Sequence, residues 1–125
     1  MADLFEDIIE FHEKFKLDRL DKPGPLNKEL DDLRWDRLVE EMKELLVAKK
    51  AKDMEGQFDA LIDIVYIALG TAYLHGLDFN AGWKRVHKAN MKKQRVENIK
   101  DSRHKNSFDI IKPKGWHSPK LKDLV

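Results

Sequence analysis

Acidic residues recur at one-turn spacing in two stretches of this 125-residue sequence, and their spacing suits metal-dependent chemistry. The first stretch is an E-E-x-x-E motif formed by Glu40, Glu41 and Glu44. Helix residues three and four positions apart share one surface, so these carboxylates repel one another unless a cation or solvent relieves the repulsion. Taken alone, the motif leaves both a solvated acidic face and a metal-binding face open.

The second acidic stretch is FDALIDIVYIALGTAYLHG, which is apolar almost all round but carries Asp59 and Asp63 one turn apart. Such a helix is predicted to be buried, either centrally in the domain or at an oligomer interface. Burial of an unpaired carboxylate costs roughly several kcal/mol, and the segment itself contains no Lys or Arg. The two aspartates are therefore expected either to pair with bases from other helices or to bind metal.

Placed face to face, the two stretches would form a cage of oxygen donors suited to Mg²⁺ or Mn²⁺. So many carboxylates cannot all stay ionised without cations, and two divalent ions would neutralise most of their charge. Ions of this kind bridge phosphate oxygens and activate water for in-line attack. The predicted ligands are Glu40, Glu41, Glu44, Asp59 and Asp63.

A basic segment, VHKANMKKQR, supplies side chains that suit phosphate. Asn90 has an amide that could bond a phosphate oxygen or a water, and Lys93 has an ammonium group that could neutralise a phosphoryl group. For Lys92 and Arg95, a solvated helix end that complements the helix dipole is the better explanation.

Hydrophobic periodicity and capping residues predict four helices with short connections, and hence an all-α fold. We expect one domain over residues 1–125, with a helical core at about 3–95 and an extended tail at about 98–125 in which one short strand could form. Asp53 and Asp78 are predicted N-caps, and Gly76 is placed to end the third helix. The predicted helices are Asp3–Lys16, Glu29–Ala51, Met54–His75 and Phe79–Lys93.

The composition excludes several classes of protein. The absence of cysteine rules out disulfides, thiolate metal sites and a Cys nucleophile. The net charge of +1 divides into 11 basic and 19 acidic residues before position 84, and 13 basic and 4 acidic residues from there onward. No apolar run approaches the roughly 18 residues of a membrane span, and the acidic N-terminus is unlike a signal peptide. We expect a cytoplasmic protein without a membrane partner, and an oligomer, because one small bundle cannot cover so apolar a third helix.

E-E-x-x-E on one helix, followed by D-A-L-I-D-I-V-Y on the next, resembles the all-α nucleoside triphosphate pyrophosphohydrolases of the MazG superfamily. That superfamily also includes the phosphoribosyl-ATP pyrophosphohydrolases. The resemblance to its phage and bacterial MazG-like branch covers roughly residues 5–121, through FHEKFKL, RWDRLVEEMKEL, DALIDIVYIALGTAYLHGLD, VHKANMKK and IKPKGWHSPKL. It implies a four-helix MazG-like bundle with an extended C-terminal tail, in the host cytoplasm if the source is a phage. The oligomer that the apolar third helix predicts is either a dimer or a tetramer.

The resemblance also implies an activity: Mg²⁺- or Mn²⁺-dependent cleavage of a nucleoside triphosphate to the monophosphate and pyrophosphate, with two or more ions per site. By motif, Glu41, Glu44 and Asp63 would be the principal ligands, and Glu40 would hold a second ion or act as the base. Asn90 and Lys93 match the family's Asn-Met-x-Lys element near the phosphates. The sequence departs from the family on the third helix, where many members have Glu-x-x-Asp. Here the extra carboxylate lies four residues before Asp63 instead of three.

The motifs do not fix the base-binding residues. Aromatic, imidazole and amide groups on the first helix, in the loop after it and early in the second helix could read a base, although each also has an explanation as a core or surface residue. These candidates are His12, Phe15, Asn27 and Trp35. The resemblance favours a purine deoxynucleotide such as dGTP or dATP.

Three alternatives are weighed against this function. Phosphoribosyl-ATP hydrolysis uses the same chemistry on another substrate. A di-iron helical protein would need Glu-x-x-His pairs, and no His lies three residues after a Glu. Nucleic-acid binding would use the basic C-terminal region, which lacks a groove-reading helix. Its contact set would be Lys100, Arg103, Lys105, Lys112, Lys114, Trp116, His117 and Lys120.

Overall fold

Four α-helices provide most of the regular structure in residues 3–125, the part of the chain that the computed structural model describes. They are α1 (Leu4–Lys14), α2 (Lys28–Lys50), α3 (Met54–Leu74) and α4 (Phe79–Asn90). Two strands of two residues each, β1 (Gln94–Arg95) and β2 (Ile110–Ile111), follow α4. Short 3₁₀ helices lie at Ile99–Asp101 and Lys122–Leu124. The prediction of a mostly helical chain with four helices is confirmed.

Side-chain caps fix where the first three helices begin, because the first turn of a helix leaves backbone N–H groups without partners. Asp3 accepts from the N–H of Phe5 at 2.9 Å. Asn27 caps α2, and the predicted cap Asp53 accepts from the N–H of Gly56 at 3.0 Å. After α3, Gly76 adopts a φ of 74°, which lets the chain turn away as predicted. The helix α4 ends at Asn90, three residues before its predicted end, Lys93.

The chain divides into two compact units, one reaching to Phe79 together with Val125, and the other spanning Asn80–Leu124. In the first unit, α2 and α3 pack against each other along their length, and α1 packs on α3. The short connection between α2 and α3 makes them antiparallel neighbours. The core of this unit consists of Phe5, Ile8, Leu69, Tyr73 and Leu74.

Central burial of α3, one of the two predicted alternatives, holds for its C-terminal half, where Leu69, Tyr73 and Leu74 join the core. It is wrong for the N-terminal half. Phe58 is 66% exposed, and Leu61, Ile62 and Val65 are 50%, 48% and 46% exposed. The physical reason is that α1 and α2 cover only part of a helix whose apolar residues run around its whole circumference. The other alternative, burial of this face between copies of the chain, stays a prediction.

The helix α3 also corrects the expectation that no segment has the length and composition of a membrane span. Its 21 residues include an 18-residue window with a mean hydropathy of 1.3. Core helices of soluble proteins pass the same test, and 33% of this window is buried within the chain. The helix carries Asp59 and Asp63 and packs against α1 and α2.

The second unit consists of α4 from Asn80 onward and the tail to Leu124, and the tail has more structure than predicted. β1 pairs antiparallel with β2, so that Gln94 lies opposite Ile111 and Arg95 lies opposite Ile110. Ser102 is buried in the connection between the strands and donates from Oγ to Asp109 Oδ2 at 2.7 Å. Because α4 belongs to this unit, the bundle of four helices and the single domain both stay predictions.

Candidate active site

The pairing of α2 with α3 brings the acidic residues of the two helices together. Near the turn between the helices the backbones approach closely, since a Cβ added to Gly56 would lie 3.2 Å from the Cβ of Ala48. Two turns before Ala48, Glu41 is only 7% exposed, whereas Glu40 and Glu44 are exposed and Asp63 is half-buried. The E-E-x-x-E motif therefore points one carboxylate into the helix interface and leaves two near solvent.

The environment of Glu41 disfavours its charged form. Burial is the main reason why its pKa rises to about 7, followed by a hydrogen bond with Glu44. The negative charges of Glu44, Asp63 and Glu40 add to the shift. A carboxyl group in these surroundings either holds a proton near neutral pH or requires a cation.

The chemistry of this acidic group fits a divalent ion. Within residues 3–125, the Oε2 atom of Glu41 is buried without a hydrogen-bond partner, which is costly for a polar atom unless another ligand satisfies it. Carboxylate oxygens are the donors that Mg²⁺ and Mn²⁺ prefer. In residues 3–125, no three His, Asp or Glu side chains converge closely enough to form a ready-made ion site. The residues fit a hard cation by chemistry, and the precise ligand set stays a prediction.

Asp59 belongs to a neighbouring part of the acidic surface. It is exposed, and its charge is not among those that raise the pKa of Glu41. Instead it lines a cavity of about 460 Å³ together with Glu40 and Glu44. Lys43 and Asp53 line the same cavity, and sequence reasoning missed both of them. The sequence predicts only a capping role for Asp53. The signal that could have found it is its position six residues before Asp59, at the same end of the helix.

Asn90 and Lys93, the predicted phosphate contacts, belong to the second unit. Asn90 is the last residue of α4 and is exposed. Lys93 is half-buried, and its Nζ lies 5.1 Å from the centroid of the Trp116 ring. The role predicted for them in phosphate binding stays a prediction.

The candidates for base binding have different environments. His12 is only 1% exposed, and its Nδ1 donates to the carbonyl oxygen of Ile8 at 2.8 Å. Its Nε2 is buried without a partner in the described part of the chain. Burial lowers the pKa of His12, so the ring is held neutral. Asn27 uses its side-chain oxygen to cap α2, whereas Phe15 and Trp35 are 54% and 67% exposed. Trp35 is therefore the most accessible aromatic side chain among these candidates.

Comparison with known protein families shows where this chain belongs. The sequence model of the phosphoribosyl-ATP pyrophosphohydrolase family matches residues 8–90, which is more than half of the chain and includes all five predicted acidic ligands. This match shows that the chain is a helical enzyme of the pyrophosphohydrolase class. The chain belongs to the phosphoribosyl-ATP pyrophosphohydrolase family, within the all-α MazG-like superfamily. No curated protein matches the chain in sequence.

Proposed function

We propose that this protein is a Mg²⁺-dependent nucleoside triphosphate pyrophosphohydrolase, with Mn²⁺ as the other candidate ion. In the reaction, the oxygen of a water molecule bonds to the α-phosphorus, and the bond from that phosphorus to the α–β bridging oxygen breaks. Pyrophosphate leaves and a nucleoside monophosphate remains. The observation that carries the proposal is the buried Glu41, whose Oε2 has no hydrogen-bond partner among neighbouring acids, in a chain that belongs to a pyrophosphohydrolase family.

Glu41, Glu44 and Asp63 are the residues that we propose hold the principal cation. The ion, when bound, supplies charge neutralisation and phosphate orientation. Glu40 lies on the same acidic surface but is exposed, which allows it either to accept a proton from the attacking water or to hold a second ion. Two or more ions per site would offset the mutual repulsion of these carboxylates.

We extend the proposal to Asn90 and Lys93 on the strength of the Asn-Met-x-Lys motif. An amide nitrogen and an ammonium group donate hydrogen bonds to phosphate oxygens, and the ammonium group also neutralises charge on a leaving pyrophosphate. Both residues are assigned to phosphate binding by their positions in the segment VHKANMKK.

The preferred substrate in this proposal is a purine deoxynucleotide such as dGTP or dATP. The exposed indole of Trp35 offers an aromatic surface on α2 for stacking on a base. The main support for a purine is the resemblance to the MazG-like branch.

Phosphoribosyl-ATP is the second candidate substrate, and the matching family model favours it by name. Its hydrolysis breaks the same α–β phosphoanhydride and also releases pyrophosphate. The two candidate substrates therefore use the same acidic site. They differ only in the nucleoside part attached to the α-phosphate, which the enzyme must recognise.

We further propose that the enzyme is a cytoplasmic homo-oligomer. The exposed apolar face of α3 supports assembly, since it lines a shallow cavity of about 360 Å³ together with Leu4 and Ile8 of α1. Contiguous exposed apolar patches on a helical protein are typical of interaction surfaces.

A substrate panel tests the proposed function directly. The purified protein is incubated with Mg²⁺ and each deoxynucleoside triphosphate, each ribonucleoside triphosphate or phosphoribosyl-ATP, and the products are separated by chromatography. We expect pyrophosphate and a monophosphate in equal amounts, with purine deoxynucleotides turned over fastest and no turnover in EDTA. Release of single phosphate instead of pyrophosphate, or no turnover of any substrate, would contradict the proposal.

The variant Glu41→Gln provides the control for the panel because it removes the buried carboxylate without changing its shape. It is expected to lose about a hundredfold to a thousandfold in turnover, the usual scale for removing a main electrostatic group. The matched variant Asp36→Asn removes an exposed charge from the same helix and is expected to keep full activity.

A further inference from the structure

The second unit contains a cavity of about 790 Å³ between α4 and the C-terminal tail. Basic side chains from both sides line it, and we refer to it as the basic cleft. Its principal residues are Arg85, Lys88, Lys92, Lys114, Trp116 and Lys120. None of the acidic residues assigned to the metal site lines it. We propose that the basic cleft binds an oligophosphate, either a free inorganic chain or the phosphate tail of a nucleotide.

Hydrogen bonds hold the tail against α4 and so build the cleft. The Nε1 of Trp116 donates to the carbonyl oxygen of Ala89 at 2.7 Å. The guanidinium of Arg85 donates to both carboxylate oxygens of Asp123, at 2.6 and 3.0 Å. It also donates to the carbonyl oxygen of Lys120 at 2.9 Å. These bonds join one helix to two separate points of the tail, so the walls of the cleft are fixed relative to each other.

The charge in the cleft is strongly unbalanced. Five cationic side chains line it against a single carboxylate, that of Asp123, which Arg85 already engages through two hydrogen bonds. The hydrogen bond from Arg85 keeps the pKa of Asp123 below its ordinary value, so this pair stays ionised at neutral pH. In residues 3–125, none of the four lysines of the cleft has a carboxylate within ion-pair distance.

Four ammonium groups gathered around one cavity repel each other, and a polyanion relieves that repulsion. Lysines on both walls, Lys88 and Lys92 from one side and Lys114 and Lys120 from the other, can meet the oxygens of one ligand from two directions. Each ammonium group has three donors and no acceptor, which suits phosphate oxygens. The hydroxyl of Ser118 lines the same cavity and can add a donor.

The size and the aromatic contacts of the cleft favour a small ligand over a nucleic-acid strand. A volume of about 790 Å³ falls within the range of small-molecule sites, roughly 300–1,000 Å³. Strand-binding proteins stack bases on aromatic rings. Here the ammonium groups of Lys93 and Lys112 each lie 5.1 Å from the centroid of the Trp116 ring, so this ring is already engaged by cations.

Calorimetric titration of the full-length protein with inorganic triphosphate, in EDTA and at low salt, tests the proposal. The absence of divalent ions keeps the acidic site from retaining phosphate, so the result does not depend on hydrolytic activity. We expect one binding event per chain. The variant with Lys88→Gln and Lys120→Gln, both exposed residues, should weaken binding by about tenfold or more.

The matched control carries Lys49→Gln and Lys50→Gln, which remove the same two charges from the end of α2. It should bind within about twofold of the unchanged protein. Equal losses in both double variants would show attraction by net charge alone and would overturn the proposal, as would the absence of triphosphate binding. Thermal unfolding of each variant, with a melting temperature expected within about 2 °C of that of the unchanged protein, shows that the fold is intact.

Two further titrations identify the source of the ligand. A nucleoside triphosphate that binds as tightly as inorganic triphosphate identifies the phosphate chain alone as the recognised group, and tenfold tighter binding identifies a nucleotide. Both results support the oligophosphate site. A single-stranded oligothymidylate that binds more tightly than either, and that loses affinity in the cleft variant, would overturn the proposal in favour of nucleic acid.

Discussion

Gly70 on α3 lies directly against Arg34 on α2: a Cβ added at Gly70 would lie 2.7 Å from Arg34 Nη2. This close approach lets the guanidinium donate to the carbonyl oxygen of Ile67 at 2.9 Å and to Thr71 Oγ1 at 3.0 Å. These contacts fix the register of the helix pair. Glu41 lies two turns after Arg34 along α2. The turn of α3 that pairs with it lies two turns before Gly70 and carries Asp63, the half-buried acid of the site.

Gly70→Ala is expected to destabilise the protein by about 1–2 kcal/mol. The new methyl group would contact Arg34 Nη2 at 2.7 Å and His12 Cε1 at 2.9 Å, distances too short without movement of the neighbouring side chains. This cost should exceed the gain of up to about 1 kcal/mol that alanine has over glycine in a helix. Urea unfolding followed by circular dichroism measures the difference.

Gly82→Ala is the matched control for this prediction. Gly82 also lies within a helix, α4, but a Cβ there would have nothing within 4 Å. The same substitution is therefore expected to stabilise the protein by up to about 1 kcal/mol. If both alanine variants were equally stabilised, the close packing of Gly70 against Arg34 would be refuted.

The stability of the metal-free protein is expected to depend on Glu41 and on pH. The pKa of Glu41 is about 7 in the folded chain against an ordinary value of 4.5, so the folded state holds the proton more tightly than the unfolded state. The free energy of unfolding therefore falls as pH rises from about 4.5 to about 7. Glu41→Gln cannot lose this proton, and its melting temperature should exceed that of the unchanged protein by roughly 10 °C at pH 8 and by much less at pH 5.

Thermal scans in EDTA across pH 5–8 measure this effect. Asp36→Asn serves as the control, because it removes an exposed carboxylate from the same helix and is expected to shift the melting temperature by less than about 1 °C. A gain for Glu41→Gln that is constant across the pH range would show that burial and neighbouring acids do not raise the pKa of Glu41.

Local signals were sufficient to predict the helices. Asp53 as an N-cap and Gly76 as a terminator both act through bonds and torsion angles of neighbouring residues, and both were confirmed. The pairing of Gln94 with Ile111 was not predicted, because a two-residue strand has too little periodicity to detect and its partner lies 17 residues away. The exposure of α3 was also missed, since apolar composition alone does not say which neighbours cover a helix.

The acidic motif predicted which side chains belong to the candidate site but not which of them are buried and which are exposed. One-turn spacing placed Glu40, Glu41 and Glu44 on a common surface, whereas only the packing of α3 decides that Glu41 alone is buried. The same packing places Asp53 and Lys43 beside Asp59. Such contacts depend on the register between two helices, which in this chain rests on long-range bonds from Arg34 that no local pattern encodes.

The exposed face of α3 is expected to join copies of the chain in solution. Light scattering at micromolar concentration should give a mass that is a multiple of the 14.7 kDa chain. Val65, 46% exposed on this face, tests the contact, because Val65→Glu would bury a charge without a partner and should shift the mass toward the single chain. Ile99→Glu is the control: Ile99 is 50% exposed but lies in the second unit. A 14.7 kDa species for the unchanged protein would contradict the prediction.

The two aspartates of α3 are expected to contribute unequally to turnover. Asp63 is half-buried and its charge acts on Glu41, whereas Asp59 is exposed and lines the adjacent cavity. Asp63→Asn should therefore abolish Mg²⁺-dependent hydrolysis at every Mg²⁺ concentration. Asp59→Asn should lose about tenfold at limiting Mg²⁺ and recover at saturating Mg²⁺, because an exposed ligand that is lost weakens ion binding more than it changes the chemistry. Titration of initial rates with Mg²⁺ separates the two effects. Equal losses in both variants that saturating Mg²⁺ does not recover would place Asp59 among the principal ligands. Full turnover in Asp63→Asn would show that Asp63 is not a principal ligand.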